Sequence, residues 1–361
     1  MKPPFRADQV GSLLRPRELA EARAKFRKNE ISAGELKTLA DKCIREAIRK
    51  QESVGLQAIT DGEFRRDWWH LDFMTQLDGV TAVANPGPKF GGTEEQPPIP
   101  SVTGKVGCTK PIMADDFAYL RKNTKQTAKF TIPSPAMLHL RGGRSSISKQ
   151  VYPDLDAFWA DTAAAYRKAI RHLADAGCTY LQLDDVSFSY LCDPKIQETS
   201  RRNGDDPAKL PRTYANAITE ALKDRPAGMT VTMHTCRGNF KSSWVASGGY
   251  ESVAEAMFSS AVDAFFMEFD SERAGGFEPL RHLPKGKKVV LGLVTSKSPV
   301  LEEKDFIKKR IEEASRYVPL ENLCLSPQCG FSSTHHGNNL TADEQWRKLE
   351  RIVEVAREVW R

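Results

Sequence analysis

The feature that most constrains this chain is a regular alternation between short apolar runs and longer amphipathic segments. The short runs are rich in β-branched residues, as buried strands are, and the longer segments carry apolar residues at helical spacing. This alternation predicts repeated βα units around a parallel sheet. The eight predicted strands lie at residues 6–12, 58–63, 129–134, 180–185, 230–236, 264–269, 288–294 and 322–327.

Eight strands with helices between them favour a closed barrel over an open sheet. We therefore predict an α/β fold, a (β/α)8 TIM barrel in which residues 1–361 form a single domain. Gly, Pro and Lys residues interrupt the rhythm between strands 2 and 3, which predicts an insertion at residues 83–128, a hairpin plus a short helix. The last helix is predicted to begin at Thr341, an N-cap residue that is followed three positions later by Glu344.

Composition and charge exclude several classes of protein. The formal net charge of +6 is spread along the chain, and no basic run favours nucleic acid as a partner. No stretch approaches the roughly 18 apolar residues of a membrane span, and the N-terminus has no apolar signal core, so we expect a cytoplasmic protein. Seven scattered cysteines indicate reduced thiols, some of them free to bind a metal. Small molecules are the expected partners, and a homo-oligomer is compatible with the sequence.

Four candidate metal ligands follow the ends of predicted strands. His234 and Cys236 end the fifth strand two residues apart, so both side chains point to the same side. Glu268 ends the sixth strand in an otherwise apolar run, and Cys329 follows the eighth strand. In a barrel all four lie at the C-terminal mouth, where such folds place their chemistry. Two thiolates, an imidazole and a carboxylate predict Zn2+ as the cofactor.

These residues also allow simpler interpretations. Cys236 could be a packed cysteine near a core histidine, and Glu268 could be paired with an Arg or Lys, because buried charges are either paired or bound to a metal. If zinc is bound and exchanges a ligand, it can hold a substrate thiol as a thiolate and so supply a nucleophile. If all four ligands stay bound, the chain is a zinc-binding barrel without catalytic activity.

The His-x-Cys motif, the strand-end Glu and a late Pro-x-Cys-Gly resemble, in this order, the catalytic C-terminal barrel of cobalamin-independent methionine synthase. The resemblance covers nearly the whole chain and includes the segments 10–12 (VGS), 61–67 (DGEFRRD) and 181–185 (LQLDD). It implies zinc at the four candidate ligands. It also implies that the amino and carboxylate groups of homocysteine are bound by Gly11, Ser12, Glu63 and Asp184. For the two acids, a salt bridge to Arg65 or a similar residue is the alternative.

The candidate catalytic acid departs from the family pattern. The family's proton-donating histidine lies in a His-Ser-Pro motif, and here a Lys-Ser-Pro sequence that begins at Lys297 takes its place. His335 and His336, in the loop after Cys329, are further candidates for this acid or for substrate contact. The alternative for both histidines is an ordinary surface loop.

The residues expected to bind the methyl donor depart from the family pattern as well. Tyr190 and Arg141 occupy the positions of the residues that hold the folate ring in the family. We therefore predict a zinc-dependent methyl or alkyl transferase, similar to the cobalamin-independent S-methyltransferase, that acts on homocysteine or a similar thiol with an alkyl donor still to be identified. The alternative enzyme resembles the epoxyalkane:coenzyme M transferases, in which a similar zinc site lets a thiol open an epoxide. The residues Trp68, Trp69 and His70 follow the second strand and could line the mouth of the barrel.

Overall fold

The computed structural model describes residues 2–85 and 96–360. Its central element is a parallel sheet of seven strands in the order β1-β4-β5-β6-β7-β8-β9, and β2 and β3 pair antiparallel as a separate hairpin. The strands are β1 (Ala58–Ile59), β2 (Asp78–Val83), β3 (Ile99–Gly107), β4 (Thr127–Pro133), β5 (Tyr180–Asp185), β6 (Thr230–Thr235), β7 (Ala264–Glu268), β8 (Lys288–Val294) and β9 (Leu323–Pro327).

Helices occupy most of the connections between these strands. They are α1 (Arg17–Arg27), α2 (Ala33–Ser53), α3 (Leu71–Met74), α4 (Ala114–Asn123), α5 (Leu155–Asp175), α6 (Ser187–Leu191), α7 (Pro194–Arg202), α8 (Leu210–Ala221), α9 (Ala254–Ser259), α10 (Lys304–Ser315) and α11 (Ala342–Val359). Thr341 caps α11 in a capping box with Glu344, which confirms the predicted start of the last helix. No helix in the described ranges is long and apolar enough to cross a membrane.

The core lies on both faces of the parallel sheet. Strands β4 to β9 are buried almost throughout, as expected for parallel strands that are covered on two sides. On one face they pack against the helices, for example α10 against β8 and α11 against β9. On the other face, alternate side chains of β7, β8 and β9 form a small cluster with the N-terminal segment: Phe266, Val290, Cys324 and Val10. The fold is thus an α/β fold with a curled parallel sheet.

The prediction of a strand at residues 6–12 is wrong, because this segment does not form a regular strand. Ala7 forms a single parallel bridge with Leu325 of β9, and Asp8 N–H donates to the carbonyl of Leu325 at 3.0 Å. Farther along, the Thr60 hydroxyl donates to the carbonyl of Gly11 at 2.6 Å, so the segment also contacts the end of β1. The described backbone of this segment forms no regular ladder beyond these contacts, and its polar side chains, such as Asp8, are paired with buried partners.

The insertion predicted at 83–128 contains a hairpin and a helix, but the hairpin begins earlier than expected, at Asp78. The β2–β3 pairing shifts register between Asp78 and Val80, and α4 then precedes β4. Apolar and polar residues alternate only weakly in this hairpin, which explains why its start was not visible in the sequence. Residues 86–95 of the predicted insertion lie outside the described residues.

Candidate metal centre and substrate cavity

Three of the four predicted metal ligands converge at the C-terminal edge of the sheet. The ligand atoms of His234, Cys236 and Cys329 all lie within 4.8 Å of one another, and the three residues are buried. The two Sγ atoms are 3.3 Å apart, and neither cysteine is in a disulfide. Neither ring nitrogen of His234 makes a hydrogen bond of good geometry, and the Cys329 thiol is the polar group that interacts with the ring. A buried imidazole beside two thiols is a donor set of the kind that binds zinc.

The two thiols titrate as a coupled pair. The hydrogen bond with Cys329 raises the pKa of Cys236 well above its usual value, and burial acts in the same direction. The same contact, with help from His234, holds the pKa of Cys329 well below its usual value. The pair therefore gives up one proton easily and the second with difficulty.

Glu268, the fourth predicted ligand, lies outside this group of three. One of its carboxylate oxygens accepts a hydrogen bond from the backbone N–H of Arg237 at 3.0 Å. The other is paired with the guanidinium of Arg273. The paired-carboxylate alternative thus describes the contacts of Glu268 in this structure, and its ligation of a metal stays a prediction.

The three converging donors stand near a cavity of about 600 Å3, part of which is open to solvent. The predicted substrate residues Ser12, Glu63 and Asp184 line the same cavity as the thiols. Gly11 lies directly behind Glu63, with φ at +148°, and a Cβ there would meet the Thr131 side chain at 2.8 Å and the Glu63 carboxylate at 3.2 Å. A glycine at this position therefore allows the carboxylate of Glu63 to approach the N-terminal loop.

Glu63 is held in an unusual conformation, and one of its carboxylate oxygens accepts no hydrogen bond. Its φ is 59°, in the left-handed region that costs energy for a side chain of this kind. One carboxylate oxygen accepts from the Thr131 hydroxyl at 3.0 Å, whereas the other has no hydrogen bond and faces Arg66 at 4.0 Å. Arg65, the alternative partner considered for it, is instead paired with Asp41. Burial raises the pKa of Glu63.

Asp184 and Ser12 complete the predicted substrate side of the cavity. Asp184 stands beside His234 in the β5–β6 register, and its Oδ1 accepts from the Gln182 amide at 2.7 Å. Burial raises the pKa of Asp184 to about 7. The Ser12 hydroxyl oxygen accepts from the backbone N–H of Ser332 at 3.3 Å. Both acids therefore lack a full complement of cationic partners, which suits a site for an ammonium group.

The three candidate acids lie at different places. Lys297 has a buried Nζ without a hydrogen-bond partner, and its charge opposes the rise in the pKa of Cys236 and adds to the fall in the pKa of Cys329. His335 packs edge-on against Trp68, with ring centroids 5.6 Å apart, and His336 lies 3.8 Å from the His335 ring. Trp68 is among the described residues that line the cavity, but neither histidine is.

Asn239 also lines the cavity, although the sequence analysis did not identify it as a candidate site residue. Its amide donates to the carbonyl of Gly330 at 2.8 Å, which ties the loop after β6 to the loop that carries Cys329. Its Oδ1 is buried without a partner. Its position three residues after Cys236, in the loop that follows β6, was the signal that could have found it.

Comparison with known proteins gives one consistent result. The family model described as "Cobalamin-independent synthase, Catalytic domain" matches residues 5–358. The uncharacterized protein YxjH of Bacillus subtilis (strain 168) is 45% identical over 364 residues, which cover 100% of this chain and 96% of YxjH. A crystal structure from Listeria monocytogenes, provisionally described as a vitamin-B12-independent methionine synthase, is 42% identical with a TM-score of 0.81 and covers 99% of this chain and 98% of that one.

A more distant relative is the 5-methyltetrahydropteroyltriglutamate--homocysteine methyltransferase of Thermotoga petrophila, 23% identical over 363 residues. The match covers 99% of this chain but only 44% of that enzyme, so the chain spans less than half of its length. Since the family match extends over nearly the entire sequence, the predicted resemblance is confirmed, and the chain belongs to the family of the cobalamin-independent synthase catalytic domain.

Proposed function

We propose that this chain is a zinc-dependent transferase that holds a small thiol, homocysteine or a close relative, as a thiolate for S-alkylation. The observation that carries the proposal is the convergence of His234, Cys236 and Cys329 beside a cavity with two incompletely paired carboxylates. Family membership and the methyltransferase among the relatives support it. Zinc bound to these donors would keep a substrate sulfur deprotonated near neutral pH.

The residues of this chain fit such an ion. Two thiols, one of which loses its proton easily, and a buried imidazole whose nitrogens make no hydrogen bond of good geometry supply three zinc ligands. We propose Glu268 as a fourth ligand, available when its ion pair with Arg273 opens. Three firmly placed ligands and one exchangeable position are what a catalytic site needs, whereas a structural site keeps four.

The substrate amino acid is proposed to bind through its own charges. Its ammonium group would meet Glu63, which has one oxygen without a hydrogen bond, and Asp184, which lies beside His234. Its carboxylate would meet Ser12 and the backbone of the loop that begins at Gly11. This arrangement orients the thiol toward the zinc ligands because both acids line the same cavity as the cysteines.

The reaction is a direct displacement, in which the sulfur–carbon bond forms as the bond from carbon to the donor breaks. The leaving atom of the donor keeps the electron pair and takes a proton from a general acid. Lys297 is our first candidate for this acid because its unpaired ammonium acts electrostatically on both cysteines. His335 and His336, behind the ring of Trp68, are the second candidates.

We further propose that residues 6–12 complete the sheet to a (β/α)8 barrel with the 83–128 insertion. The bridge from Ala7 to β9 and the contact of Gly11 with the end of β1 support this, since the segment contacts both edge strands of the sheet. Closure removes unpaired strand edges and fixes Ser12 at the mouth.

Calorimetry on the zinc-loaded protein tests the proposed function. We expect homocysteine to bind only when zinc is present, and Asp184→Asn to weaken its binding by at least about tenfold, the effect of losing one charged contact. Coenzyme M, which has no ammonium group, should bind weakly and should not respond to Asp184→Asn. Preference for coenzyme M would favour epoxide opening instead, and binding of neither thiol would contradict the proposal and favour a structural metal.

A further inference from the structure

Arg15 lies between two loops that carry proposed site residues. It is part of the N-terminal segment, shortly before α1, and its side chain is partly buried. We call residues 61–67, which follow β1, the Glu63 loop, and residues 328–334, which follow β9, the Cys329 loop. Burial lowers the pKa of Arg15 to about 10, so the guanidinium is still protonated at neutral pH.

The guanidinium donates hydrogen bonds to both loops. Its Nη2 donates to the backbone carbonyls of Glu63 and Arg66, at 3.2 and 2.9 Å. Its Nη1 donates to the carbonyl and the hydroxyl of Ser332, at 2.9 and 2.6 Å, and to the carbonyl of Thr334 at 3.1 Å. All of these acceptors are uncharged. The planar fork of an arginine is suited to holding two segments at a fixed separation.

These contacts occupy the donors that a substrate would need. The two terminal nitrogens carry four N–H groups, and the acceptors on the two loops already engage them. The charge of Arg15 is felt by the nearby acids Glu63, Asp67 and Asp72, but its hydrogen bonds go to carbonyls and a hydroxyl. Arg15 is therefore placed to hold other residues in position and not to bind a ligand.

The backbone of Glu63 needs a restraint of this kind. Its φ of 59° is unfavourable for a residue with a Cβ and persists only where the surroundings hold it. Its N–H donates to the carboxylate of Asp61 at 2.8 Å, and its carbonyl accepts from Arg15 and from the N–H of Arg66. Loss of the Arg15 contact would let φ return toward negative values. The carboxylate would then point elsewhere, because the allowed side-chain rotamers depend on the backbone.

The same guanidinium restrains the Cys329 loop. The hydroxyl of Ser332 accepts from Arg15 and donates to the carbonyl of Thr334 at 2.8 Å. In the same loop, the N–H of Phe331 donates to the carbonyl of Ser12 at 2.9 Å, and the N–H of Ser332 donates to the Ser12 hydroxyl. Ser12 is thus fixed to the Cys329 loop, and Arg15 ties both of them to the Glu63 loop.

We propose that Arg15 is a positioning residue, which sets the carboxylate of Glu63 relative to Ser12 and Cys329 and thereby the preference for thiols that carry an ammonium group. The inference rests on the proposed function, because it concerns recognition of the thiol proposed there. A lysine cannot replace Arg15 in this role. Its donors radiate from one nitrogen on a flexible stem, whereas the acceptors lie on two loops.

Homocysteine and 4-mercaptobutyrate, which differ only in the ammonium group, test the proposal. Calorimetry on the zinc-loaded natural protein should show a preference for homocysteine. In Arg15→Ala and in Arg15→Lys this preference should fall by at least about fivefold, the effect expected when a contacting residue is lost. Millimolar guanidinium should restore part of it in Arg15→Ala, and methylammonium should not. Arg17→Ala, at an exposed arginine of α1, should leave the preference unchanged.

Crystal structures of the natural protein and of the variants give a second measurement, which needs no thiol. We expect the φ of Glu63 to be positive in the natural protein and negative in Arg15→Ala and Arg15→Lys. If Arg15→Ala does not fold, Arg15→Lys provides both the binding and the structural result.

The outcomes separate this inference from the proposed function. An unchanged preference in the variants would overturn the inference, and so would an equal loss of affinity for both thiols, which a general loosening of the fold produces. Equal binding of the two thiols to the natural protein would overturn it as well. If Glu63 changes conformation in the variants but the natural protein binds neither thiol, the positioning of Glu63 by Arg15 stands and the proposed function fails.

Discussion

Glu268 and Arg273 form a buried ion pair at the C-terminal end of β7, next to the cysteine-histidine cluster. The carboxylate of Glu268 is fully buried, and the guanidinium also reaches Asp270 at 3.3 Å. Glu268 therefore has two competing uses, as the partner of an arginine and as a metal ligand. Which of them prevails depends on whether an ion is bound, because a buried carboxylate must have one of the two.

The first prediction concerns this choice. Arg273→Gln leaves Glu268 buried without its cation, and the zinc-free protein should lose about 3–5 kcal/mol of unfolding free energy. With zinc bound the loss should be smaller, because the metal can take over the carboxylate. Denaturant titrations with and without zinc measure both values.

A control for Arg273→Gln is available at the surface. Arg281→Gln breaks a more exposed ion pair with Glu251 and should change the unfolding free energy little in either condition. An equal loss for Arg273→Gln with and without zinc would mean that Glu268 does not reach the metal.

The second prediction concerns the cysteines. Cys236→Ser and Cys329→Ser each remove one of three converging donors, so zinc affinity should fall by at least about tenfold. Competition with a chromophoric chelator gives the affinities directly. Cys43→Ser, at a buried cysteine of α2 outside the cluster, should leave zinc binding unchanged. Unaltered affinity in both cluster variants would place the ion elsewhere or exclude it.

The third prediction tests how the N-terminal segment is anchored. Lys129 and Asp8 form a fully buried ion pair at 3.1 Å, and Asp8 also accepts from the Tyr180 hydroxyl. Lys129→Met should cost about 3–5 kcal/mol of unfolding free energy, because Asp8 stays buried without its cation. The exposed Lys105→Met should cost less than about 1 kcal/mol. A similar cost at both sites would contradict the anchoring role of the pair.

The fourth prediction is a pH dependence. The pKa of His70 in the folded protein lies well below 6.5, so between those two values the unfolded chain binds more protons. Stability from this group is complete above about pH 6.5 and declines as the pH falls toward the folded pKa. Unfolding free energies measured at several pH values should thus decline more steeply below pH 6.5 in the natural protein than in His70→Gln. Parallel curves for the two proteins would contradict the burial of a neutral His70.

Sequence patterns predicted the helices and strands that are determined by residues close together in the chain. β5 has the predicted bounds, because its residues are buried on both faces and bounded by turn residues. Residues 6–12 were predicted as a strand, but only Ala7 forms a bridge there, with Leu325, a partner far away in the chain. How many residues of such a segment pair with a distant strand cannot be read from a local window.

The candidate site also divides into features set by local sequence and features set by tertiary packing. His-x-Cys spacing on a strand was enough to predict that His234 and Cys236 would lie together. The pairing of Glu268 with Arg273 and the burial of both ring nitrogens of His70 depend on packing among distant segments. Sequence patterns indicate which donors can share an edge, but only tertiary contacts decide which of them already have a partner.

Zinc K-edge X-ray absorption of the zinc-loaded protein, with and without homocysteine, tests the central claim most directly. We predict that the number of sulfur ligands near 2.3 Å, the usual zinc–thiolate distance, rises from two to three when homocysteine is added, and that it stays at two with homoserine. A count that stays at two with homocysteine would show that the ion does not hold the substrate sulfur, and the proposed activation of a thiol would be wrong.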